Sequence, residues 1–80
     1  MSLNASHDPH TKLIYMANQI ARFMESKPEA EGIASLAAHI NDFWEPRMRT
    51  HLFQVLDAGG GGLRPLVMQA APQIRRPVAA

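Results

Sequence analysis

Eighty residues limit this chain to one small domain, and a domain of that size buries only about 60% of the surface its unfolded form exposes. It has no cysteine, which excludes disulfide staples, thiolate zinc sites, cysteine-ligated iron–sulfur clusters and a thiol nucleophile. Eight Lys and Arg against seven Asp and Glu leave a formal charge of +1, so no strong field for nucleic acid or anionic lipid arises.

No segment resembles a leader or approaches the ~20 apolar residues of a membrane span. The expectation is a soluble, cytoplasmic chain with residues 1–7 disordered. The first helix is predicted over residues 9–26, with Asp8 as N-cap and Pro9 in the first turn. At 100° per residue, Leu13, Met16, Ala17, Ile20, Phe23 and Met24 fall on one side. Ile14 and Ala21 widen that arc to roughly half the cylinder, more than the ~100° stripe of an ordinary surface helix.

Ser26, Lys27 and Pro28 interrupt the pattern. A second helix is predicted over 29–44, with Glu29 and Glu31 complementing its dipole and Ile33, Leu36, Ala37, Ile40, Phe43 and Trp44 as its inner stripe. Gly32 near its start costs up to ~1 kcal/mol of helix propensity relative to alanine.

Pro46 ends that helix and suits the first turn of a third, predicted over 46–57. Met48, Leu52, Val55 and Leu56 face inward, and Arg47, Thr50, His51 and Gln54 outward. Arg49 falls on the apolar margin, where a guanidinium must snorkel out, pair with a carboxylate such as Asp42 or Glu45, or meet a partner. Gly59 reads as a left-handed helix cap and residues 60–62 as a flexible connector. A short fourth helix is predicted over 64–71 with Pro65 in its first turn, followed by a flexible tail at 72–80. The expected fold is all-α, three helices plus a short fourth.

Few residues suggest chemistry. The glycine run lacks both the preceding strand and the Gly-Lys-Ser/Thr ending of a phosphate loop. His7 and His10 are spaced for a shared metal but straddle a helix start with no third ligand in view. His39 and His51 lie on polar faces of different helices, with no nucleophile arranged beside them. No catalytic, cofactor-binding or metal site is expected. Arg47, Arg49, His51 and Gln54 could be drawn as a DNA-recognition helix, but Asp42, Glu45 and Asp57 would approach phosphates unfavourably.

The stretch from Ile40 to Arg49 holds the only tryptophan and two arginines, residue types enriched at binding hot spots. The helices also offer more apolar stripe than three-helix packing readily covers, which invites association. Partner contacts are therefore expected on the wide apolar face of helix one, at Asn41, Trp44, Pro46, Arg47 and Arg49, and at Leu63 and Leu66 on the fourth segment. The isolated chain is expected to be marginally stable, oligomeric or stabilised by a partner.

Three blocks together resemble a known family: KLIYMANQIA at 12–21, HINDFWEPRMR at 39–49, and LDAGG at 56–60 continuing through GLRPLV at 62–67. Their order and spacing are similar to the delta subunit of soluble, molybdenum-type, NAD-dependent formate dehydrogenases. The resemblance implies a small accessory subunit of a cytoplasmic complex that oxidises formate and reduces NAD. In such complexes a large catalytic subunit carries molybdenum pterin and iron–sulfur clusters, and companion subunits carry FMN and further clusters and bind NAD. The delta subunit carries no redox centre; its implied role is assembly, stabilisation of the large subunit or cofactor insertion. Outside that resemblance, a helical DNA-binding regulator and an autonomous helical homo-oligomer remain the alternatives.

Overall fold

The computed structural model describes residues 9–78. It comprises α1 (Pro9–Met24), α2 (Glu29–Phe43), α3 (Pro46–Asp57), α4 (Pro65–Ala70) and a 3-10 turn at Ala71–Gln73. Among the described residues there is no strand, and the all-α fold holds. Proline marks every helix start: Pro9, Pro46 and Pro65 are first residues and Pro28 is the N-cap of α2. A missing N–H costs nothing there, and the fixed φ is already helical.

Two helices stop short of their predicted ends, α1 at Met24 and α2 at Phe43. At the end of α1 the Ser26 hydroxyl donates to the Phe23 carbonyl and the Lys27 N–H to that of Met24. Lys27 precedes a proline and is disfavoured in the helical region. By the same rule Glu45, before Pro46, is extended at φ −64°, ψ 156°, and Trp44 has already left α2 at φ −87°, ψ 129°.

The core is a single cluster to which all four α-helices contribute. Leu13, Ala17 and Ala21 form a buried line on α1, met by Leu36, Ala37, Ile40 and Trp44, by Leu52 and Phe53, and by Leu66, Val67 and Ala70. Two alanines on the α1 line let its neighbours approach closely. Gly32 has a related use. A Cβ there would stand 2.8 Å from the Met24 carbonyl oxygen, so the propensity that glycine forgoes is offset by the close approach of α1 to α2.

Two aromatics assigned to inner stripes lie outside. Phe23 is 68% exposed, because the buried line of α1 runs through Ala17 and Ala21, about 120° around the helix from it. Phe43, the last residue of α2, is 72% exposed; its ring lies against His39, one turn back, with centroids 4.9 Å apart. Trp44, one residue on, is only 5% exposed.

The glycine run is folded, not a loose tether. The Gly60 N–H bonds to the Val55 carbonyl at 2.8 Å and the Gly59 N–H to that of Leu56 at 3.0 Å, the paired bonds of a Schellman cap. Gly59 takes φ +114° to make it, a conformation that suits glycine. The stretch expected as a flexible tail makes local contacts at its start. Residues 71–73 form the 3-10 turn, Ile74 is 4% exposed within the core cluster, and hydrogen bonds fix Arg75 and Arg76. A buried isoleucine amid polar and proline residues is a weak sequence signal, and it is enough to anchor the arm. The N-terminal stretch expected to be disordered, and His7 with it, lie outside the described residues.

Candidate partner-binding surface

The corner between α2 and α3 is built from the Pro46 constraint. With two residues held extended before it, Trp44 turns back onto Ile40 and Ala37 in the core while its N–H still bonds to the Ile40 carbonyl at 3.0 Å. Burying an indole of this size is the largest single apolar contribution the corner makes. Trp44 thus supports this surface from beneath.

Arg49 resolves the question its position raises. Its Nε donates to the Trp44 carbonyl at 3.4 Å and its Nη1 to the Arg75 carbonyl at 2.6 Å. The guanidinium neutralises a carbonyl just past the end of α2, where a cation is favoured, and ties it to the C-terminal arm. Neither Asp42 nor Glu45 pairs with it among the described residues.

Asn41 holds the same arm. Its side-chain amide donates to the Gln73 carbonyl at 3.0 Å and accepts the Arg75 N–H at 2.8 Å, so one amide satisfies two backbone groups two residues apart. Asn18 on α1 does the same to the connector, donating to the Gly62 carbonyl at 2.8 Å and accepting the Arg64 N–H at 2.9 Å. Leu66, just beyond, is buried, and Leu63 is half-buried against the core.

Each clamp has an ion pair beside it. Arg64 grips both carboxylate oxygens of Glu25 at 2.7 and 2.9 Å. Arg76 grips both oxygens of Asp57 at 3.0 Å and lies 4.2 Å from the centre of the Phe53 ring. The bonds from the arginines hold the Glu25 and Asp57 carboxyls below the usual carboxylate range, and slight desolvation opposes that.

Of the residues singled out in the sequence, the structure therefore buries Trp44 and Leu66 and engages Asn41 and Arg49 with the arm. Pro46 and Arg47 are left exposed at the corner, and Leu63 half-exposed at the connector. The histidines meet aromatic and amide groups: His10 bonds to Gln54 at 2.8 Å, His51 stands edge-on to His10, and His39 lies against Phe43. Among the described residues no three His, Cys, Asp or Glu side chains gather as a metal site. No described helix is long and apolar enough to cross a membrane.

The wide apolar face of α1, from which partner contacts are expected, is partly open: Phe23 is exposed and Met16 half-buried. Tyr15 on α1 and Phe43 at the end of α2 are the other large exposed aromatics among the described residues, and Met48 on α3 is half-buried.

Residues 12–71, from the first turn of α1 to the end of α4, match the family described as NADH-dependant formate dehydrogenase delta subunit FdsD. The chain belongs to that family. Comparison with curated proteins and with solved structures gives no match. The delta-subunit match contains both asparagine clamps and Arg49, and ends before the arm residues 73–75 that Asn41 and Arg49 hold.

Proposed function

We propose that this delta-subunit family member is a non-catalytic accessory subunit of a cytoplasmic NAD-dependent formate dehydrogenase, supporting assembly, stability or cofactor insertion of the large catalytic subunit. The observation that carries this reading is the family match across three quarters of the chain. The exposed aromatics agree with it, since a chain with Tyr15, Phe23 and Phe43 on its surface gains from a partner that covers them.

In this reading molybdenum pterin, iron–sulfur clusters, FMN and NAD are held by other subunits. Contact with the large subunit involves Pro46 and Arg47 at the corner and Leu63 at the connector, with Asn41 and Arg49 contributing their exposed edges. Trp44 and Leu66 shape that surface from within. Nucleic-acid binding is disfavoured because Arg49 is spent on two carbonyls and Gln54 on His10, which leaves Arg47 as the exposed cation of α3.

The test is co-expression with a tagged large subunit. The chain should co-purify with it, and omitting the chain should lower the yield of soluble large subunit. Unchanged recovery, with no chain retained on the tag, would refute the reading.

A further inference from the structure

Between α1 and α3 lies a cleft of about 350 Å³ lined by Lys12, Leu13, Met16, Arg47, Met48 and His51. Met16 and Met48 are half-buried and Leu13 is buried. Methionine is flexible and polarisable, and adapts its shape to an incoming side chain. Lys12 and Arg47 are exposed, and neither makes an ion pair with a described residue. The lining contains no carboxylate. His51 completes the lining.

We propose that this cleft receives an acidic segment of the large catalytic subunit, one apolar side chain entering between Met16 and Met48 while flanking carboxylates meet Lys12 and Arg47. The inference rests on the accessory-subunit reading and adds the chemistry of the contact. Charge complementarity selects the occupant. Two cations at the rim of an apolar cleft favour carboxylates over a basic or neutral segment, and set orientation and encounter rate. The cleft is at the small end of the range for ligand pockets, which runs from about 300 to 1,000 Å³, so it takes one or two side chains and the exposed corner supplies further area. Arg47 belongs to both, which makes the cleft continuous with Pro46.

The experiment measures binding of purified large subunit to the full chain and to three variants. The double reversal Lys12→Glu with Arg47→Glu should weaken binding by about tenfold or more and abolish most of its salt dependence. Met16→Asp should weaken it comparably. Lys27→Glu, remote from the cleft and on the α1–α2 turn, should bind as the original does. Circular dichroism should show all of them equally helical, because the substituted side chains are exposed or half-exposed.

Undiminished binding by both the double reversal and Met16→Asp, with the original chain binding well, overturns the cleft assignment and leaves the accessory role standing. Failure of the original chain to bind removes both. Two other occupants have their own signatures. A concentration-dependent dimer in sedimentation that Met16→Asp abolishes would show a second copy in the cleft. A gain in large-subunit binding on deleting residues 1–8 would show the chain's own N-terminus there. Either result overturns the proposal.

Discussion

Two regions of this molecule use their side chains in opposite ways. On one, formed by the α2–α3 corner and the C-terminal arm, polar residues with the look of contacts are bonded within the chain: Asn41 and Arg49 hold residues 73–75. On the other, formed by α1 and the start of α3, residues that resemble core filler, Met16, Met48 and Phe23, are partly or largely exposed. In a domain too small to bury all its apolar surface, an arginine or asparagine is readily drawn into fastening loose backbone. The surplus apolar side chains are what remains for a partner.

The sharpest way to break this contrast is to remove the support common to both regions. Trp44→Ala should cost about 3–5 kcal/mol, the usual range for deleting a buried large aromatic, against a total stability of only ~4–12 kcal/mol for a chain of this length. Thermal melting followed by circular dichroism should show a broad transition at much lower temperature. A melt like that of the original would mean Trp44 is not the keystone of the corner.

Gly32→Ala comes next, and its sign is the informative part. Alanine in an exposed helix normally gains up to ~1 kcal/mol over glycine. Here its Cβ would meet the Met24 carbonyl, so the substitution should instead lose about 1–3 kcal/mol, as overpacking does. Denaturant titration reads this directly, and a stabilised variant would refute the close approach of α1 and α2.

The two asparagine clamps sharpen the comparison further. Asn18→Ala and Asn41→Ala should each lose about 1 kcal/mol, but with different reach. Hydrogen exchange should accelerate at the Arg64 N–H in the first and at the Arg75 N–H in the second. Fast exchange at Arg75 in the original chain would show that the arm is not fastened.

The smallest effect is electrostatic. Glu25 and Asp57 have folded-state pKa values held down by their arginines. Their contribution is present above the unfolded carboxylate pKa of about 4 and disappears as pH falls through the lower folded values. Both pairs are solvent-exposed and screened, so the melting temperature should fall only modestly on acidification below pH 4. Glu25→Gln combined with Asp57→Asn should flatten that dependence, and an unchanged acid slope would count against both pairs.

Much of the fold is legible in the sequence because proline and glycine punctuate it. Pro28, Pro46 and Pro65 place three helix starts, and Gly59 places an end. Rotation is harder to read. The 100° projection places Phe23 with Met16 and Ile20, but the closest packing on α1 follows the alanines, and alanine carries little weight in a count of apolar residues. The arm escapes for a related reason. A single buried Ile74 gives no periodicity, and clamps from Asn41 and Arg49 over 26 to 34 residues of separation leave no local pattern. Arg49 is identifiable as a residue out of place; its actual partners, two backbone carbonyls, are not.

The most direct test of the accessory role compares three co-expressions of the large catalytic subunit: with this chain, with its Trp44→Ala variant and with neither. The folded chain should raise the amount of soluble, molybdenum-loaded large subunit, and the variant should perform no better than omission. Equal amounts in all three would contradict the account.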